Sequence, residues 1–104
     1  DTSSAIASGW VKQDGAWYYF DGNGNPVKNA WQGAYYLKSN GKMAQGEWLY
    51  DSSYQAWYYL KSDGSYARNA WQGNYYLKSD GKMAKYERVD GGRYYVDASG
   101  LWKP

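Results

Sequence analysis

Two adjacent tyrosines followed by an apolar residue occur five times in this chain, as Tyr18-Tyr19-Phe20, Tyr35-Tyr36-Leu37, Tyr58-Tyr59-Leu60, Tyr75-Tyr76-Leu77 and Tyr94-Tyr95-Val96. After each copy comes a polar stretch ending in glycine: Asn23-Gly24, Asn40-Gly41, Asp63-Gly64, Asp80-Gly81 and Ser99-Gly100. The second tyrosines stand at 19, 36, 59, 76 and 95, so short and long steps alternate at first and the underlying period is a pair of units, 40 residues long. That longer period is nearly literal. Asn29-Ala30-Trp31-Gln32-Gly33 returns as Asn69-Ala70-Trp71-Gln72-Gly73, and Lys42-Met43-Ala44 as Lys82-Met83-Ala84. Self-similarity at a fixed period signifies a repeat architecture whose units stack on their neighbours.

Each unit reads as a β-hairpin. In the first, Trp10 to Gln13 forms one strand, Asp14-Gly15 the turn and Ala16 to Phe20 the return. Asp-Gly between two such runs satisfies the positive φ that both central positions of a type I′ turn require. The short units are expected to turn at Gln32-Gly33 and Gln72-Gly73, and the third across the longer Tyr50 to Gln55 segment. No window keeps apolar residues at helical spacing over three turns, with residues 1–8 as the one stretch where a helix is conceivable. The expected fold is therefore all-β, a solenoid of about five stacked β-hairpins. Its units are residues 9–28, 29–45, 46–68, 69–85 and 86–104, with 1–8 a linker or the remnant of a preceding repeat.

The composition suits a thin rod. Seven Trp, fourteen Tyr and one Phe outweigh Leu, Ile and Val, which together come to ten. Rings with a polar handle can be half buried and keep their OH or NH wet, so they suit a structure with little interior. The absence of Cys and His excludes disulfides and the common zinc sites, and leaves no His or Cys to act as base or nucleophile. No run of apolar residues is long enough to span a membrane as a helix. The net charge of +2, with dispersed lysines, gives no argument for a nucleic-acid partner. A start without Met or signal peptide reads as a processed or excised piece of something larger, whose targeting signal lies outside it.

Strand alternation puts Trp17 and Tyr19 on one face and Tyr18 and Phe20 on the other. The expectation is that the Tyr18 face, with Tyr35, Tyr58, Tyr75 and Tyr94, builds the packed axis. Tyr50, Tyr54 and Tyr86 take no place in this scheme. The aspartates at turns serve backbone geometry. In the last unit Arg88 and Arg93 stand where earlier units carry Trp, which fits a terminal cap.

Gly9-Trp10, Trp17-Tyr18-Tyr19-Phe20-Asp21 and Asn23-Gly24, repeated in register with Gly-Lys-Met-Ala, resemble the choline-binding repeat of streptococcal surface proteins and lysins. The resemblance covers residues 9–104. It implies a left-handed solenoid that holds choline, the head group on teichoic and lipoteichoic acids, between successive hairpins. It also implies an extracellular, cell-wall-associated, non-catalytic module without cofactor or metal, whose catalytic partner domain lies elsewhere in the protein. In such repeats two Trp of one unit, a Tyr of the next and a nearby Met form the site. Carried over by position, these are Trp10, Trp17, Tyr36 and Met43, and again Trp48, Trp57, Tyr76 and Met83. The short units depart from the pattern, since Ala34 and Asn74 replace the second Trp. At the Met position of the following unit stand Tyr66 and Trp102, which would restore three rings as Trp31, Tyr59 and Tyr66, and as Trp71, Tyr95 and Trp102.

These residue types fit that ligand physically. A quaternary ammonium donates no hydrogen bond, so it is recognised by apolar contact with its methyl groups and by the negative quadrupole of ring faces, at about 0.5–2 kcal/mol per ring. Three rings, less the cost of immobilisation, give an affinity on the order of millimolar. Against this stands the plain alternative that Trp and Tyr in a thin β-structure are its core. Two functional rivals also remain. A glycosidase needs two carboxylates across a cleft, and here the acids sit at turns. A carbohydrate-binding (glucan or peptidoglycan) repeat would use flat exposed rings with flanking donors instead of a cage.

Overall fold

The computed structural model describes residues 8–104; the expectation for residues 1–8 falls almost wholly outside them. Five antiparallel hairpins follow one another along a rod of 62 × 24 × 20 Å. They are β1 (Gly9–Gln13) with β2 (Ala16–Phe20), β3 (Ala30–Gln32) with β4 (Tyr35–Leu37), β5 (Glu47–Asp51) with β6 (Ala56–Leu60), β7 (Ala70–Gln72) with β8 (Tyr75–Leu77), and β9 (Glu87–Val89) with β10 (Tyr94–Val96). A short β11 (Trp102–Lys103) pairs with the far edge of β10. No helix occurs among the described residues.

The first turn has the expected chemistry, with φ of 51° at Asp14 and 81° at Gly15. In the short hairpins the turn slides by one residue. Gln32 pairs with Tyr35 and Gln72 with Tyr75, so the loops are Gly33-Ala34 and Gly73-Asn74, not Gln-Gly. Glycine at φ 62° in the first central position is what a type II′ turn demands.

A third strand-like element was not visible in the repeat pattern. The chain leaving each hairpin turns back and makes an antiparallel bridge to the return strand, at Phe20–Pro26, Leu37–Met43, Leu60–Tyr66 and Leu77–Met83. β11 is the same element in the last unit, with Val96 opposite Trp102. The return is closed by a tight turn in which the Gly41 amide donates to the Lys38 carbonyl and the Gly64 amide to the Lys61 carbonyl, both at 2.9 Å. The same element joins one hairpin to the one before. Amides of Met43, Tyr66, Met83 and Trp102 donate to the carbonyls of Trp17, Ala34, Trp57 and Asn74, at 2.8, 3.0, 2.8 and 2.9 Å.

The fully buried side chains are the apolar residues that close each Tyr-Tyr pair, Leu37, Leu60, Leu77 and Val96. Ala44, Ala67 and Ala84 on the bridging segments are buried beside them. A rod this thin has no layered core, so each junction must hold by itself. Truncating Leu60 to Ala is expected to cost about 2–5 kcal/mol. Chemical denaturation measured on the whole chain checks this.

Candidate functional site

Cross-strand register decides which rings meet. Residues directly opposed in an antiparallel pair point to the same face. Trp10 is opposed to Tyr19, Trp31 to Tyr36, Trp48 to Tyr59 and Trp71 to Tyr76. Each second tyrosine therefore packs edge-on against the Trp of its own hairpin, with centroids 5.1–5.3 Å apart. The first tyrosine points the other way, toward the preceding hairpin. Tyr35 reaches Trp10 at 5.4 Å, Tyr58 reaches Trp31 at 4.9 Å, Tyr75 reaches Trp48 at 5.6 Å and Tyr94 reaches Trp71 at 5.6 Å. The hairpins stack head to tail, the Trp face of one on the first-Tyr face of the next.

This stacking leaves a ring-lined concavity at each of four junctions. The first, about 370 Å³, is lined by Trp10, Trp17, Tyr35 and Met43, with Asp63 at its rim. Its counterpart one long period on, also about 370 Å³, has Trp48, Trp57, Tyr75 and Met83, with Ser99 at the rim. The second junction holds Trp31, Tyr58 and Tyr66 with Tyr54, Asp80 and Lys82 in about 390 Å³. The fourth holds Trp71, Tyr94 and Trp102 with Asn74 and Asp90 in about 340 Å³. Tyr66 lies 5.8 Å from Trp31, and Trp102 lies 6.0 Å from Tyr94.

Ten of the fourteen residues carried over from the resemblance thus lie in these concavities: Trp10, Trp17, Met43, Trp31, Tyr66, Trp48, Trp57, Met83, Trp71 and Trp102. Tyr36, Tyr59, Tyr76 and Tyr95 do not. Three of them back the Trp of their own unit, and Tyr95 lies opposite Arg88 on the last hairpin, 38% exposed. The third wall comes instead from Tyr35, Tyr58, Tyr75 and Tyr94, which the strand-face expectation assigns to the axis. The alternation is right and the choice of face is inverted. For the same reason Tyr19 is a partner of Trp10, and Tyr18 lies on the opposite face with Phe20, beside Gly41.

Two Trp rings are fixed by carboxylates that turn geometry alone does not account for. The indole Nε1–H of Trp31 donates to Asp51 Oδ2 at 2.7 Å, and that of Trp71 to Asp90 Oδ2 at 3.2 Å. The other oxygen of Asp51 accepts from the amides of Ser53 and Tyr54, so this buried acid both shapes its turn and orients a ring of the preceding hairpin. The signal in the sequence is an acid at the end of the outgoing strand, shared by the third and fifth units.

Each rim comes from two hairpins further on. Asp63-Gly64 belongs to the third unit but closes over the first junction, where a Cβ on Gly64 (φ +91°) would come within 2.5 Å of Met43 Cε. Gly81 presses likewise on Tyr66 and Tyr58. Each of the first three concavities is therefore built by three consecutive units.

Burial, reinforced first by the Asp51 carboxylate, pushes the Tyr58 phenol up to about 12 and raises that of Tyr36 as well. Both phenols, Tyr58 in the lining of the Trp31 concavity and Tyr36 behind it, stay neutral at physiological pH. Because the folded Tyr58 holds its proton more tightly than the unfolded chain, its contribution is intact below pH 10 and is lost as pH rises from about 10 to about 12. The fall in unfolding free energy over that window is expected to be shallower in Tyr58→Phe than in the parent chain, measured by denaturant titration at each pH.

Hairpins joined head to tail, with a ring-lined concavity at each junction and no cluster of metal-ligating side chains among the described residues, define a β-repeat module. The chain belongs to the choline-binding repeat family. That family matches residues 65–102, and the related cell wall binding repeat matches residues 8–25, 35–43 and 46–66. Among solved structures, the choline-binding domain of CbpL from Streptococcus pneumoniae is 46% identical over 95% of this chain and 98% of that one, with a TM-score of 0.62. The modular autolysin LytC from Streptococcus pneumoniae, in complex with a synthetic peptidoglycan ligand, is 45% identical over 93% of this chain, with a TM-score of 0.85. CbpJ from Streptococcus pneumoniae TIGR4 is 39% identical over 98% of this chain, with a TM-score of 0.73. The chain spans 24% of LytC and 36% of CbpJ. Comparison with curated protein sequences gives no match.

Proposed function

We propose that this chain anchors a surface protein to the cell wall by holding the choline groups of teichoic and lipoteichoic acids in the aromatic boxes between its hairpins. The observation that carries this reading is the first and third junctions. There, two Trp and one Tyr converge with a Met on a space open to solvent, with Ser99 or Asp63 at the rim. Such a space suits a group that offers methyl contacts and positive charge and nothing to hydrogen-bond. The second and fourth junctions use Tyr66 and Trp102 in place of the missing Trp walls, giving four boxes in all.

Each box is weak, on the order of millimolar. Four boxes on one rigid rod, facing a polymer that repeats the ligand, gain affinity through effective concentration. The module works extracellularly and without chemistry of its own, as the attachment part of a longer protein such as a wall hydrolase. The LytC and CbpL likenesses and the family itself support that placement.

Retention on a choline-like resin, elution by free choline and passage through dextran is the expected behaviour. Binding to dextran without binding to the choline resin overturns the reading in favour of a glucan module. Tyr35→Leu should weaken choline binding at the first box about two- to thirty-fold, the loss of one ring. Tyr36→Leu should lower stability and leave that box's affinity in place, as followed by indole N–H resonances in a choline titration. Trp102→Ala should lower the number of choline molecules bound at saturation by one in equilibrium dialysis. An unchanged number would remove the fourth box.

A further inference from the structure

The junctions differ less in their rings than in the charge around them. The Trp48 box is lined by two Trp, a Tyr, a Met and Ser99, with no charged group. The Trp31 box carries both signs. Asp80 and Lys82, from the turn of the fourth unit, stand in its lining. The Lys82 ammonium lies 5.6 Å from the Tyr54 ring, and Tyr54 lies 6.4 Å from Tyr58. The Arg68 guanidinium lies 5.8 Å from the ring of Tyr66, another wall of the same box. The Asp80 Oδ1 accepts from the Lys82 backbone amide at 3.0 Å, which ties the two residues into one turn and leaves the lysine side chain free to reach the box.

Lys82 is also placed differently from its counterpart one period earlier. Lys42, in the same Gly-Lys-Met-Ala run, is exposed, whereas Lys82 is half-buried against Tyr54. Tyr54 has no counterpart in the first unit. The third hairpin has a four-residue turn, Ser52 to Gln55, where the first has the two residues Asp14-Gly15. The longer turn carries an aromatic platform out to where the lysine stem can lie on it.

We propose that the Trp31 box is a zwitterion site that prefers phosphocholine to free choline, with Lys82 meeting the phosphate. The Trp48 box shows no such preference. The inference rests on the reading of the boxes as quaternary-ammonium sites and assigns the second of them a ligand form. Trp31, Tyr58 and Tyr66 take the trimethylammonium end, with Asp80 as a nearby counter-charge. The ethyl ester arm then directs the phosphate outward toward Tyr54, where the Lys82 ammonium waits. A bare choline at this box gains the rings but also feels two neighbouring cations, Lys82 and Arg68. The phosphate turns the first of those repulsions into an ion pair. For a solvent-exposed pair, the gain corresponds to about a three- to fivefold tighter binding.

The test uses the indole N–H of Trp31, which is held by Asp51 and reports on this box alone, beside that of Trp48 for the neutral box. The whole chain is titrated with choline chloride, with phosphocholine and with inorganic phosphate at constant ionic strength. Phosphocholine is expected to shift the Trp31 resonance at three- to fivefold lower concentration than choline, with no difference at Trp48 and no response to inorganic phosphate. Lys82→Gln should abolish the preference by weakening phosphocholine, without weakening choline. Equal titration of Trp31 by the two ligands, or a preference that survives Lys82→Gln, overturns the zwitterion assignment and leaves the box a choline site. A Trp31 resonance that moves with neither ligand, while Trp48 responds, overturns the box as a quaternary-ammonium site and this inference with it. A shift with inorganic phosphate alone would mark Lys82 as a general anion contact and also overturn the assignment.

Discussion

Every box depends on one backbone hydrogen bond, made four times, from the bridging segment of one unit to the turn end of the unit before. Met43 to Trp17 is the first instance. This bond sets the distance and rotation between successive hairpins, because it links the third element of one unit to the residue that ends the exposed wall of the previous one. The residue that donates it, Met43, Tyr66, Met83 or Trp102, is the same residue whose side chain lines the concavity. The main chain that fixes the stacking therefore delivers one wall at the position the stacking creates. Variation at that residue changes the box and keeps the stacking bond, since any residue but proline supplies the amide.

That separation explains how the short and long units can alternate. Loss of a Trp wall at Ala34 or Asn74 leaves the carbonyl that accepts the stacking bond in place. Replacement of Met by a larger ring on the facing segment then fills the space from the other side. In the second junction the exchange is accompanied by the indole–Asp51 bond, which turns Trp31 by an acid of the next hairpin instead of by a neighbouring Trp. A buried carboxylate costs desolvation unless it is fully bonded, and Asp51 has three partners. The polar group therefore positions the ring at little cost to the fold.

The hairpins and their order were legible in the sequence because turn chemistry is local: Asp14-Gly15 readily takes the positive φ that a two-residue turn requires. Face membership was legible too, since alternation has period two. Which face meets the next hairpin was not. Tyr35 and Tyr36 are adjacent, similar and both partly or fully covered, and only the direction of stacking tells the box wall from its support. The bridging segments were hidden for a related reason. Lys42-Met43-Ala44 is too short to show alternation, and its strand character exists only because Leu37 lies beside it. Asp51 was read as serving turn geometry and does so from the end of β5; its second oxygen acts across a junction that no local pattern encodes.

A solenoid of this kind is stabilised by nearest-neighbour contacts, so its ends are its weakest places. The last hairpin presents Arg88 and Arg93 where the third hairpin presents Trp48 and Trp57, and Lys103 adds a third cation to the same surface. Positive charge there repels a further cationic ligand and a like surface. Inside the rod the opposite holds. A ligand lodged between Trp10, Trp17 and Tyr35 touches two hairpins and lies under the turn of a third, and it exists in that position only when all three are folded. Binding there must raise the stability of the junctions it spans, by an amount that grows with ligand concentration over its dissociation constant. Attachment to a ligand-bearing polymer would then stiffen the rod along the contacted length, and weak individual boxes would share one cooperative support.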